Sequence, residues 1–252
     1  MKMPESELFE IAESQQGYFT FQQAVTAGFS DKNHAYHVKS GDWVKVFRGI
    51  YRLAKYPVGE REELVLWFLW SRNRSNVPQG VYSHYTALDL YELSDYMPSK
   101  LHMTVPMGFR RMAKIPEVLV LHREQLQANE IVMQQGYKIT TPLKTLIDVL
   151  NDGVLAEDLL VQAVQDAKKK RLITKHAIET NKRCPAKIAE RLLKIMEEPT
   201  TLPLPPEGWN VKFALLAKEC GINESLDRAM ESVEEFYQKA VVKNFLSDVL
   251  LP

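Results

Sequence analysis

Between Ser30 and Gly41 the chain reads Asp-Lys-Asn-His-Ala-Tyr-His-Val-Lys-Ser. Helical spacing puts His34 and Val38 one turn apart on a single face, with Ala35 beside them. Lys32, Asn33, Tyr36 and Ser40 fall on the opposite face, and Lys39 stands at its edge. His37 lies between the two faces. These side chains suit recognition rather than bond-making. An asparagine amide can bond an adenine edge in bidentate fashion, and lysine and tyrosine reach phosphate oxygens or guanine edges. Downstream, Arg48-Gly49 separates two β-rich runs, Trp43–Phe47 and Ile50–Leu53. A two-residue turn of this kind places glycine where φ is positive and sets Arg48 at a hairpin tip. A cation there can enter a minor groove or touch a phosphodiester backbone. Lys45 and Arg52 lie on the two strands, where either could instead pair with Asp42.

Two other basic groups stand out. Lys168-Lys169-Lys170-Arg171, with Lys175 close by, could touch nucleic acid, although the end of a helix favours cations for dipole reasons alone. Arg110-Arg111 and Lys114 sit in a loop between strands and have the same two readings. Catalytic signatures are missing: there is no phosphate-binding glycine loop, no dinucleotide fingerprint, no HExxH and no GxSxG. A metal-dependent nuclease needs an acidic-x-Lys pair on a core strand, and Asp166-Ala167-Lys168 is instead in a predicted helix. His84, His102 and His122 belong to different elements and could converge, but a histidine on such a surface is more often structural. Cys184 and Cys220, 36 residues apart, form no metal-ligand spacing, and reduced thiols are the simpler reading. The sequence therefore predicts no enzyme, no catalytic residues, no metal and no cofactor.

These side chains need elements to hold them. A short helix over 5–13 is broken by Gly17. Thr20-Phe21-Gln22-Gln23 has capping-box form and starts a second helix that Gly28 ends. Ser30 can cap the third, which Gly41 stops. Three helices and then a hairpin is the winged helix-turn-helix order, assigned to residues 1–57. Tyr56–Gly59 reads as a linker. Residues 58–150 form an α+β middle domain: helices over 60–72 and 83–94, strands over 101–105 and 118–122, one or two more over 131–140, and a helix from Thr141-Pro142 to Leu150. Its apolar helices and strands predict a core of its own. Helices over 154–169, 175–182 and 185–197 make 151–198 a helical extension. A proline-rich linker and helices over 208–219 and 223–247 complete 199–252. The fold class is α+β.

The chain has 252 residues, 32 basic and 32 acidic, for a formal net charge of zero. A zero total argues against a protein coated in nucleic acid, but the charge is polarised. Residues 17–57 carry six basic and two acidic side chains, a net of +4, whereas 207–252 carry five and eight, a net of −3. A small basic module is what phosphate contact requires. The N-terminus lacks the apolar stretch of a signal peptide, and the longest apolar run, Leu64–Trp70, is too short to span a bilayer. A cytoplasmic protein without membrane partners is expected.

Six stretches of this sequence together resemble the AbiEi-type antitoxins of bacterial type IV toxin–antitoxin, or abortive-infection, systems. At the front they are Gly17–Thr20 with Gln23-Ala24, Tyr36–Gly41 and Arg48–Arg52. In the middle they are Ser83–Leu88, Leu101–Pro106 and Thr141–Asp148. The resemblance spans roughly residues 5–195. It implies a repressor that binds inverted repeats in its own promoter double-stranded DNA, as a homodimer at least when on DNA. It also implies phage defence through an antitoxin that counteracts a neighbouring nucleotidyltransferase toxin without a stable complex. Two other readings compete: a winged helix fused to a nuclease, and a plain transcriptional regulator whose C-terminal part senses a partner or ligand.

Overall fold

The computed structural model describes residues 3–59, 61–111 and 114–198. The helices expected at 208–219 and 223–247, and Cys220, lie outside the described residues. The described part is mixed helix and sheet, α+β, and opens with a winged helix-turn-helix.

Helix α1 (Pro4–Glu13) is followed by strand β1 (Tyr18–Thr20), which its three-residue length hid from sequence patterning. Thr20 then caps α2 (Phe21–Thr26): its hydroxyl accepts from the Gln23 amide while the Gln23 side chain accepts from the Thr20 amide, so two orphan donors of the helix end are satisfied at once. The expected third helix starts as a 3-10 turn over Asp31–Asn33 and becomes α3 over His34–Ser40. Ser30 precedes it without a side-chain capping bond, and Gly41 ends it at φ +84°. Strands β2 (Trp43–Phe47) and β3 (Ile50–Leu53) form the wing, with a register shift between Lys45 and Phe47. β1 joins them, giving the antiparallel order β1-β3-β2. Leu8, Ala12, Phe19, Ala24, Trp43 and Tyr51 close a small core beneath.

The middle region begins with α4 (Glu63–Trp70) and β4 (Val81–Tyr82), the latter again too short to be anticipated. It continues through α5 (His84–Leu90), β5 (Leu101–Val105), β6 (Leu119–Arg123), β7 (Ile131–Gln134), β8 (Tyr137–Thr140) and α6 (Pro142–Asp152). The five-stranded sheet runs β6-β5-β4-β8-β7, with β5–β6 and β4–β8 parallel and the other pairs antiparallel. Side chains alternate across a strand. Met103 and Val105 of β5 therefore join Leu119, Tyr82, Ile139 and the apolar α4 in one core. His102 and Thr104 of β5, and His122 of β6, go to the other face. A second core gathers Leu88, Leu146 and Leu150 with α7 (Glu157–Lys169), α8 (Lys175–Thr180) and α9 (Ala186–Glu197), whose buried residues include Val164, Ile178 and Leu192.

The expectation that the middle region would have an independent core meets a qualification. Tyr18 and Ile50 of the winged module are members of the same core as α4 and the five-stranded sheet, and Val46 and Phe47 pack against it. The Tyr56–Gly59 coil is itself held close: a Cβ on Gly17 would collide with the Tyr56 ring at 2.6 Å. At the β7–β8 turn, Gln16 Nε2 donates to the Gln135 carbonyl at 3.0 Å. Gly136, at φ +89°, lies so near that a Cβ would stand 2.7 Å from the Ser14 carbonyl oxygen.

Candidate nucleic-acid interface

The third helix is oriented by what its inner face buries. His34 is only 3% exposed and sits among Phe21, Trp43 and Tyr51, with ring centroids 4.5, 5.2 and 5.9 Å away. Burial, the largest effect, lowers its pKa, so it serves as a neutral core group. His37, which helical spacing left between two faces, stacks on Trp43 at 4.6 Å and approaches the Asp42 carboxylate to 3.5 Å. Val38 packs at the edge of the same core. Ala35, expected beside them, is exposed.

This anchoring turns Lys32, Asn33, Tyr36 and Lys39 outward, all exposed, with Tyr36 at 67%. Ser40 is exposed too, but its hydroxyl donates to Asp42 Oδ2 at 2.6 Å. That bond, followed by the one from His37, holds the Asp42 carboxyl below the usual range. Asp42 is thus occupied by Ser40 and His37, not by Lys45 or Arg52. Lys45 is exposed on β2, and Arg48 is exposed at the wing turn, where Gly49 takes φ +68°.

Arg52 requires a correction. Its residue is 9% exposed, its Nη2 donates to the Tyr56 carbonyl at 2.7 Å, and its Nε lies 3.2 Å from Glu62 Oε2. The alternation of β3 turns it inward, so its guanidinium is committed to tying the wing to the body rather than exposed with Lys45 and Arg48. The basic run at the end of α7 is also largely engaged. Lys168 Nζ donates to the Met196 carbonyl, Lys169 pairs with Asp166, and Lys170 donates to the carbonyls of Tyr91 and Glu92. Arg171, in a left-handed conformation at φ +56°, has no ion-pair partner among the described residues. The Asp166-Ala167-Lys168 sequence is on α7, as expected, with Asp166 facing Lys169.

The three middle-region histidines do converge. The His84 and His122 rings stack at 3.5 Å, and His102 Nδ1 hydrogen-bonds His122 Nε2 at 2.9 Å. His84 Nδ1 bonds Ser83 Oγ at 2.9 Å, and Ser83 also accepts from Thr104 Oγ1. Lys144 Nζ, buried on α6, donates to Asp148 Oδ1 at 2.6 Å and to Glu124 at 2.7 Å; Arg183 joins Glu124 and Glu130. Burial first, and then mutual repulsion, lowers His84 to about 3 and His102 to about 4. Burial pushes Asp148 up to about 6 against the pull of Lys144. No group of three or more ligating side chains suited to a metal occurs among the described residues. The rings stack and bond one another, and they join the sheet to α5 and α6. The sequence supplied the three histidines but not their register: period-two alternation on β5 and β6 brings two of them to one face.

Arg72, just beyond the end of α4, is not singled out in the sequence as a functional residue. Arg72 Nη2 reaches the carbonyls of Arg48 and Gly49, both at 3.3 Å, and so braces the wing turn from the middle region. Among the described residues Cys184 has no disulfide partner, and burial raises the pKa of its partly buried thiol. No described helix is long and apolar enough to cross a membrane.

No curated protein matches the chain. A crystal structure of the RV2827C protein from Mycobacterium tuberculosis aligns over 79% of each chain at 13% identity, with a TM-score of 0.48. The family model described as "Transcriptional regulator, AbiEi antitoxin" matches residues 6–54, which take in α1 through the end of the wing. Over that segment the chain is similar to the AbiEi-type antitoxins and transcriptional regulators.

Proposed function

We propose that the chain represses its own promoter by seating α3 in the major groove of duplex DNA and laying the wing along the neighbouring backbone. The observation that carries this reading is the division of labour on one short helix. His34, His37 and Val38 are turned into the aromatic core, while Lys32, Asn33, Tyr36 and Lys39 are left exposed beside the Lys45 and Arg48 wing. Asn33 and Tyr36 are the candidate base readers; Lys32, Lys39, Lys45 and Arg48 are the candidate phosphate contacts. Ser40 is a weaker candidate because Asp42 holds its hydroxyl. Binding as a homodimer to an inverted repeat fits this module, since a single short helix covers only a half-site.

The same reading makes the chain the antitoxin of a type IV system, opposing a nucleotidyltransferase toxin encoded beside it without a stable complex. The family match supports the antitoxin assignment, and the sequence resemblance supplies the toxin class. The test separates the two roles within the full-length chain. Lys32→Ala with Arg48→Ala should abolish repression of the chain's own promoter yet still rescue growth when the neighbouring toxin is expressed from an independent promoter at matched levels. Retained repression would refute the interface. Failure of the soluble variant to rescue would tie protection to repression itself.

A further inference from the structure

A concave surface of about 830 Å³ lies between the wing turn and the middle region, lined by Arg48, Arg72, Arg74, Arg110 and Arg111 together with Trp70. Among the described residues no aspartate or glutamate lines it. Elsewhere Arg52, Arg61, Arg183 and Arg191 each meet a carboxylate. Among the described residues, none of these five does. Arg48, Arg74 and Arg110 are exposed and Arg72 and Arg111 are half-buried.

The two half-buried guanidiniums are fixed in place. Arg72 donates to the Leu69 carbonyl at 2.9 Å and to the wing carbonyls of Arg48 and Gly49. Arg111 lies over the Trp70 ring at 4.9 Å, donates to the Arg72 carbonyl at 3.1 Å, and keeps its buried Nε without a partner. A cation withdrawn from water without a counter-charge is costly, and like charges around one concavity repel. An anion supplied from outside relieves both penalties.

We infer that this surface is a second DNA-contact site, one that receives the phosphodiester backbone flanking the segment beneath the wing. It rests on the reading that the winged module binds DNA. Two features favour a duplex backbone over a small anionic ligand. Arg48 belongs to both the wing tip and the concavity, so an occupant is continuous with DNA lying under the wing. The Trp70 ring is fully buried and covered by Arg111, so it has no face for stacking a base. Arg72 is a positioning residue here, holding the wing turn at the rim, while Arg74 and Arg110 supply uncommitted guanidiniums to phosphate.

The experiment uses the full chain, a duplex carrying its own promoter, and the variant Arg74→Ala/Arg110→Ala, which breaks no ion pair among the described residues. Hydroxyl-radical footprinting should show backbone protection beyond the wing that the variant loses while protection around α3 persists. The log–log salt dependence of binding should fall by about two units, near 0.9 for each phosphate contact. On a duplex trimmed to the α3 and wing footprint, variant and wild type should bind alike. Unchanged flanking protection and salt slope in the variant would overturn the second site while leaving the winged interface intact. If Lys32→Ala also left binding unchanged, the underlying interface would fall with it. Equal loss on the trimmed and long duplexes would place these arginines within the wing's own contact and overturn the flanking site, as would protection of the arginines by a nucleoside triphosphate that leaves the DNA footprint unaltered.

Discussion

The substitution His84→Asn isolates the cost of keeping the histidine cluster neutral. His84 occupies a positive φ of 51°, which asparagine tolerates better than most residues, and the short amide remains beside Ser83. The wild-type imidazole is 8% exposed and its pKa is lowered to about 3, first by burial and then by His122, His102 and Lys144. An unfolded chain protonates it near its ordinary 6.5. The unfolded state therefore binds the extra proton, so the stability tied to His84 is complete above pH 6.5 and is lost as pH falls toward 3. Each pH unit in that window costs about 1.4 kcal/mol. From pH 7 to 4.5 the loss is about 3 kcal/mol. His102 moves in the same direction but is more open to solvent, and its share is smaller. Asp148 acts oppositely: burial raises it to about 6, so the penalty on its ionised form is present above pH 6 and lifts as pH falls, returning about 2 kcal/mol by pH 4.5. Asp148 and the other carboxylates are present in both proteins and largely cancel in the difference. Urea denaturation across this range should show the wild-type advantage over His84→Asn shrinking by about 3 kcal/mol between pH 7 and 4.5. A gap that stays constant to within about 0.5 kcal/mol would refute the claim that folding holds His84 neutral.

The other expectations concern the interface and its support. Asn33→Ala and Tyr36→Ala should each weaken specific binding by about 1–3 kcal/mol with little change in salt slope, whereas Lys32→Ala and Arg48→Ala should weaken all sequences and lower the slope by about one unit; identical behaviour of both pairs in salt-titrated binding would erase the distinction. Arg52→Met should reduce stability by about 1–3 kcal/mol, since it leaves Glu62 unpaired, and should not alter the salt slope. A slope change would return Arg52 to the DNA face. A chain starting at residue 58 lacks Tyr18 and Ile50 from the shared core and should lose at least about 3 kcal/mol; undiminished cooperative melting would show that the middle region is self-sufficient.

The winged module was legible because its signals are local. The capping hydroxyl of Thr20, the stop at Gly41 and the turn at Arg48-Gly49 depend only on near neighbours. Strands β1 and β4 were not, because three and two residues are too few to display a period. The alternation of β3 could have warned that Arg52 points inward with Ile50 rather than outward, but the carboxylate that receives it, Glu62, lies on the far side of a presumed linker. Convergence of His84, His102 and His122 needed the strand order, since β5 and β6 meet as parallel neighbours only after the chain crosses between them. The cationic concavity was hidden in the same way: Arg48, Arg72 and Arg111 come from three separate segments.

The contact at Gly136 bears on how such regulators exchange parts. Its positive φ alone would favour glycine in a hairpin turn, but the Ser14 carbonyl at 2.7 Å from any added Cβ also makes it a seam between the front and middle of the chain. A chimera that joined this winged module to a foreign effector body would have to reproduce that clearance, the acceptor offered to Gln16, and a shelf for Tyr18 and Ile50. New DNA specificity is therefore more readily reached by altering the exposed residues of α3 than by shuffling whole modules.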